Sequence, residues 1–316
     1  MTDLNSKKSS NNQIIEDEIN LQEIASVIWL RKYLLLAVSF TFSLLSIFYS
    51  LLLPNYYQSE SILVSTDKNN SSPLGQYADL ASLAGLSLNA GGDNEVFETI
   101  ELIKSREFVK HILTFPDVLP SIMAAKEFRK DTNELIYNSD IYDQSSNEWK
   151  GNSFRYGKSK PSYLEVHKIY LSQLNIFQDK KTSFISMSFE HISPIFAKDF
   201  LSLVISEANS LKRQRDLDTT NNALEFLTEE FKRTSLKEIK ISIQSLIESQ
   251  LETQMLAKVN DEYSLSILEP PFVPELKSRP QRSVIVIISA FLSFLMTIFC
   301  ILVHHFFRYT LIQRTL

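Results

Sequence analysis

Glu269-Pro270-Pro271-Phe272-Val273-Pro274-Glu275-Leu276-Lys277-Ser278-Arg279-Pro280-Gln281-Arg282 leads directly into an uncharged run, Ser283 to Val303. Four of the chain's 10 prolines lie between Pro270 and Pro280. Proline fixes φ near −65°, lacks a backbone N–H and biases the residue before it towards extended geometry. The segment marked by Pro270, Pro271, Pro274, Pro280 and Arg282 is therefore expected to be a stiff, polyproline-like strut. The apolar run after it is 21 residues long, enough to cross a hydrocarbon layer about 30 Å thick at roughly 1.5 Å per residue.

A second uncharged run of 20 residues, Leu34 to Leu53, lies near the other end of the chain and stops at Pro54. Thirteen of its residues are Leu, Ile, Phe or Val, which favour insertion by at most about 4–8 kcal/mol at roughly 0.3–0.6 kcal/mol each. Trp29 and Tyr33 before the run, and Tyr49, Tyr56 and Tyr57 at its far end, have the placing of interfacial aromatic belts. The charged leader is long, the apolar core exceeds that of a signal peptide, and no small-x-small cleavage site follows Leu53, so the run reads as an anchor. Arg31 and Lys32 before the first span, with Arg308 and Arg314 after the second, place both termini in the cytoplasm. Lys277, Arg279 and Arg282 oppose that orientation, but long segments translocate largely regardless of charge. The expected boundaries are a cytoplasmic tail at 1–33, a first span at 34–53, an outer domain at 54–282, a second span at 283–303 and a tail at 304–316.

Ser39, Ser43, Ser46 and Ser50 are spaced four, three and four apart and share one helical face of the first span. In the second span Ser289, Ser293 and Thr297 repeat at four. Small polar faces let helices approach closely in lipid, so the first serine stripe is expected to pack against Ser289 and Ser293 with hydrogen bonds across the pair.

Between the spans, Tyr57 to Ser65 reads as a strand leaving the membrane. A leucine- and glycine-rich loop covers Leu80 to Gly92 and has no phosphate-loop pattern. A helix is expected over Glu95–Leu113, and 138–160 as loop. Leu174 to Phe177 and Phe184 to Glu190 form a hairpin in which Ile185, Met187 and Phe189 alternate with Ser186, Ser188 and Glu190. Ser193-Pro194 is a cap and first-turn pair, and no Gly or Pro follows from Ile195 to Glu269. About 60 helical residues there would span roughly 90 Å, with a possible interruption at Thr219–Asn222. Leu224, Leu227, Phe231, Ile239, Ile243 and Leu246 form an apolar stripe that must pair within the domain or against other copies, the latter being expected for much of it. Tyr263 to Leu268 is a returning strand, expected to pair with the first.

The net charge of −5 and the absence of a basic tract exclude nucleic acid as an expected partner. The single cysteine, Cys300, lies in an apolar run and supports neither a disulfide framework nor a thiolate site. No acid/base pair, nucleophile constellation or metal-ligand spacing stands out, so no enzyme activity, cofactor or metal is expected.

Asp17-Glu18-Ile19-Asn20-Leu21 before Trp29, the leucine/glycine loop, Ile103-Lys104-Ser105-Arg106, the long Gly-free region, Asp261-Glu262-Tyr263, and Ile267 to Pro270 with Pro274, Pro280 and Arg282 form one ordered series. In that order of parts the chain resembles the Wzz-type chain-length determinants, the polysaccharide co-polymerases of bacterial inner membranes. The resemblance covers nearly the whole chain, and its most specific part is the proline-rich segment joined to the second span. It implies a membrane-anchored α/β fold: two transmembrane helices flanking a periplasmic α/β base with a long protruding helix. It also implies a ring-like homo-oligomer that acts with a membrane polymerase and growing lipid-linked polysaccharide to set the length of O-antigen, capsule or exopolysaccharide. One branch of the family carries a tyrosine-kinase domain. The present chain stops 13 residues after the second span with no Walker-type loop, so that activity is not expected in this polypeptide. The alternatives are a transmembrane activator of a separate tyrosine autokinase and, from another class, a two-span periplasmic sensor.

Overall fold

The computed structural model describes residues 26, 27, 29–66, 92–150 and 160–314. The tail before Ser26 and the leucine/glycine loop up to Gly91 lie outside these residues. The chain divides into two compact units, one of Pro54–Pro280 and one combining Met1–Leu53 with Gln281–Leu316.

The first unit is built on an antiparallel sheet. Strand β1 (Tyr57–Ser65) buries Tyr57, Ser59, Ser61 and Leu63 at every second position, the period of a strand with one covered face. It pairs with β7 (Ile185–His191) on one side and β8 (Leu265–Glu269) on the other, and β6 (Leu174–Gln178) completes the order β6-β7-β1-β8. The pairing of first and last strands follows the sequence expectation. Against the sheet lie α5 (Tyr163–Gln173) and the start of α6 (Pro194–Arg233). Leu63, Ile185, Met187 and Phe189 from the sheet share a core with Phe200, Leu201, Val204 and Ile205 of α6 and Val166 and Tyr170 of α5. Both helices start on a side-chain cap. Ser162 and Glu165 form a reciprocal box on α5, and the Ser193 hydroxyl accepts from Phe196 N at 3.2 Å on α6.

The single helix expected over Glu95–Leu113 is instead two, α2 (Gly92–Lys104) and α3 (Arg106–Ile112). Ser105 divides them: its backbone is extended, and its hydroxyl accepts from Phe108 N at 3.1 Å to start a new helix. After α4 (Val118–Ala124) come two small hairpins, β2 (Ala125–Arg129) with β3 (Glu134–Tyr137), and β4 (Tyr142–Asp143) with β5 (Glu148–Trp149). The second corrects part of the expected 138–160 loop; residues 151–159 are not among those described. Two-residue strands are too short to carry a period. This hairpin is held instead by the Tyr142 and Trp149 rings, 4.9 Å apart, and by Lys150 Nζ at 2.6 Å from Asp143.

The long helical region is divided at a different place from the one the sequence suggested. At 40 residues α6 rises roughly 60 Å. It continues through Thr219–Asn222, the one interruption the sequence suggested, and there the Thr219 and Thr220 hydroxyls donate back to the carbonyls of Arg215 and Asp216 (2.8 and 2.7 Å). The break falls at Thr234-Ser235-Leu236, after which α7 (Lys237–Val259) returns along α6 as an antiparallel hairpin. Gln254 Nε2 donates to Asn221 Oδ1 across the pair at 2.6 Å.

The second unit is a pair of helices, α1 (Lys32–Leu52) and α8 (Arg282–Arg314). They run antiparallel, with Leu51 beside Arg282 at one end and Arg31 beside His304 at the other. Lys32–Leu52 and the Arg282–His305 part of α8 are each long and apolar enough to cross a membrane. Helix α8 continues past Val303 through most of the segment expected as a tail.

Candidate functional site

Three features carry the residues singled out from the sequence: the proline-rich segment, the helical hairpin and the apolar helix pair.

The pairing of β8 with β1 stops at Glu269 opposite Ile62. Pro270 and Pro271 have no N–H to continue a ladder, but the carbonyls of the segment still need donors. Side chains of β1 supply them: Ser61 Oγ donates to Glu269 O and Ser59 Oγ to Phe272 O, both at 2.7 Å. Pro271 and Pro274 are buried, Pro280 is half-buried and Pro270 is exposed. At the far end Tyr56 N donates to Arg279 O at 2.9 Å, and Ser278 N donates to Tyr56 O at 2.8 Å. Glu190 of β7 lies beneath this bridge. Its carboxylate accepts from Arg279 Nε at 2.7 Å, is ion-paired with the same guanidinium, and also meets the Ser278 hydroxyl. The Glu190 side chain is only 7% exposed while that of Arg279 is 65% exposed, so a buried anion is satisfied by a cation reaching in from water. The segment is thus tied to the sheet along its length, a support that proline content alone did not announce.

Glu190 and Ser188 correct the simple alternation read for β7, because both are buried together with Ile185, Met187 and Phe189. So is His191. Its Nε2 donates to Ser121 O at 2.8 Å and its Nδ1 accepts from Ser193 N at 3.1 Å, a pattern that uses both ring nitrogens of the neutral form. Burial lowers its pKa to about 4, against which these hydrogen bonds act only in part.

Where the hairpin leaves the core, Asn209 of α6 grips the start of β8. Its Oδ1 accepts from Ser264 N and Leu265 N (2.9 and 2.8 Å), and its Nδ2 donates to Leu265 O at 2.8 Å. One to two turns further along, Tyr263 OH donates to Asp216 Oδ2 at 2.8 Å, and Lys212 Nζ lies 3.1 Å from Glu98 and 3.2 Å from Asp216. Burial opposes the charge on Lys212, but its carboxylate partners prevail and its pKa is raised. Asn209 and Glu190 were missed in the sequence. A polar residue on the apolar face of a helix or strand was the available signal.

Along the hairpin, Leu224, Leu227 and Phe231 are half-buried, Ile243 is buried, and Ile239 and Leu246 are exposed. The Phe231 ring has Lys240 Nζ 5.2 Å from its centroid, so it is engaged within its own hairpin. Phe226 and Met255 are more exposed than Ile239 or Leu246, at 64% and 65%.

In the helix pair, Ser50, Ser293 and Thr297 are buried, while Ser39, Ser43, Ser46 and Ser289 are half-buried. The expected hydrogen bonds between the serine faces are not formed. Ser289 donates to Val286 O at 3.0 Å, Ser293 to Ala290 O at 2.9 Å and Thr297 to Ser293 O at 2.7 Å, all within α8. The hydroxyls of Ser39, Ser46 and Ser50 have no hydrogen-bond partner. On α8 each hydroxyl is satisfied by a carbonyl three or four residues back on its own helix, so it needs no partner on the facing helix.

Residues 17–114 match the family described as "Wzz: Chain length determinant protein". The resemblance seen in the order of parts is therefore a family match over that segment, which takes in α1, β1, α2 and α3. No curated protein sequence matches the chain. Among solved structures it is similar to a "full-length bacterial polysaccharide co-polymerase", with 12% identity over 92% of this chain and 99% of that one and a TM-score of 0.38. It is also similar to a "Fragment of WzzB, Polysaccharide Co-polymerase from Salmonella Typhimurium", with 16% identity over 71% of this chain and 100% of the fragment and a TM-score of 0.28.

Proposed function

We propose that this protein is a non-catalytic regulator of the chain length of a surface polysaccharide made by a membrane polymerase. In this reading α1 and α8 anchor it in the bacterial inner membrane with both termini cytoplasmic, and the Pro54–Pro280 unit stands in the periplasm. The proline-rich segment then links that unit to the second anchor. The protein works as a homo-oligomer that meets the growing lipid-linked polysaccharide, and the exposed apolar groups of the α6–α7 hairpin supply contacts between copies. The observation that carries this reading is the Wzz-family match over residues 17–114, on a chain whose α/β unit is bracketed by two membrane-length apolar helices. Its support from the hairpin is physical: side chains such as Phe226 and Met255 stay in water unless something covers them.

The test is the ladder of surface polysaccharide on a gel from cells with and without the gene. Loss of a preferred length, restored by the wild-type gene, is expected. An unchanged ladder, or loss of all polysaccharide with no length effect, would remove the reading.

A further inference from the structure

We infer that the groove between α1 and α8 at their Arg31–His304 end is a seat for an anionic phospholipid, with the acyl chain between the helices and the headgroup phosphate on Arg31. This rests on the reading of α1 and α8 as membrane spans.

The groove has a volume of about 740 Å³. Leu34, Val38 and Phe42, one turn apart, form one wall, and Leu292 and Met296 are on the other. The hydroxyls of Ser289, Ser293 and Thr297 in the second wall each donate to a carbonyl of their own helix, so none has a proton left for the oxygens of a polar ligand. Such a wall accepts hydrocarbon. From Leu34 to Phe42 the groove descends roughly 12 Å at 1.5 Å per residue, close to the half-thickness of a hydrocarbon layer of about 30 Å. The smaller cleft of about 390 Å³ at the Leu51–Arg282 end shares no lining residue with it. Neither cleft runs the length of the pair, so each is too short to seat a whole neighbouring helix but deep enough for a single chain from one leaflet.

The groove ends at Arg31, whose side chain has no ion-pair partner among the described residues. A guanidinium presents a rigid fork matched to phosphate oxygens. A cation at the end of an apolar slot complements an anionic head on an apolar tail, and basic sites beside helices on the cytoplasmic side are where anionic lipid is concentrated.

The experiment reconstitutes the full chain in vesicles of equal phosphatidylglycerol and phosphatidylcholine, extracts it in mild detergent, and counts retained lipid by native mass spectrometry. Phosphatidylglycerol is expected to be retained about five-fold over phosphatidylcholine, the ratio one well-placed cation supplies. Arg31→Gln should abolish the preference and Arg31→Lys should keep most of it. Equal retention of the two lipids, or a preference that survives Arg31→Gln, overturns the proposal. So does ready disulfide formation between Cys300 of two copies on mild oxidation in the vesicles, since Cys300 lines the groove and would then face a second chain. Release of the chain from vesicles by alkaline wash alone would refute the membrane anchoring itself, a separate failure.

Discussion

Two buried polar residues of the Pro54–Pro280 unit make opposite kinds of demand. His191 must stay neutral. Its pKa of about 4 lies below the 6.5 or so of an unfolded chain, so between those values the unfolded state takes up a proton that the native state refuses. Stability is therefore lost as pH falls from about 6.5 towards 4, by up to roughly 3 kcal/mol from this group, and is flat above that range. Urea unfolding of the detergent-solubilised chain at pH 7 and pH 5 should show that loss, and His191→Gln should flatten the difference between the two pH values relative to wild type. Asn209 must stay polar instead. Asn209→Ala leaves two N–H groups and a carbonyl of β8 without their partner, at a cost of about 2–4 kcal/mol in the same assay. Thr219→Ala, on an exposed face of the same helix, is expected to change stability by less than about 0.5 kcal/mol.

At the scale of elements, the join between the proline-rich segment and β7 is the most exposed to test. Arg279→Met strands the buried Glu190 carboxylate and should cost about 2 kcal/mol, less than a fully buried pair because the guanidinium is largely in water. Adding Glu190→Gln should recover much of that loss, a coupling measurable in a double-mutant cycle. Pro274→Ala with Pro280→Ala should alter polysaccharide length while leaving the amount of membrane-inserted protein unchanged; identical length distributions would make the segment a passive linker. The strands and long helices were legible because their periods repeat over many residues: Tyr57–Ser65 and Ile185–His191 differ from expectation by a residue at most. What was hidden is local or tertiary. The Ser105 cap, the two-residue strands at Tyr142 and Glu148, and the turn at Thr234–Leu236 occupy too few positions to impose a period. The serine bonds to Glu269 and Phe272 depend on a segment more than 200 residues away, which no local pattern can register.

At the scale of the molecule, the hairpin reallocates the apolar stripe. Part of Leu224 to Leu246 is covered within the chain, so a probe of self-association belongs on the exposed groups instead. Phe226→Asp should shift the protein to smaller species in mild detergent and disturb polysaccharide length with it, while Phe231→Asp should lower stability as well. A monodisperse monomer in several detergents and in nanodiscs would count against assembly through this face. For orientation, a reporter active only outside the cytoplasm should be active after Gln144 and silent after Leu316, and the opposite pattern would invert the topology.

The bridge between Tyr56 and Arg279 has a further consequence. The unit that starts at Pro54 and ends at Pro280 enters and leaves at one spot, its two ends joined by a hydrogen bond of 2.9 Å from Tyr56 N to Arg279 O. A fold whose ends already touch can be cut out, closed with a few residues of linker and reopened elsewhere at a surface turn without stretching any strand. It is in that sense a cassette: a different unit with the same touching ends could be mounted on α1 and α8, and this one could be mounted on another pair of antiparallel helices.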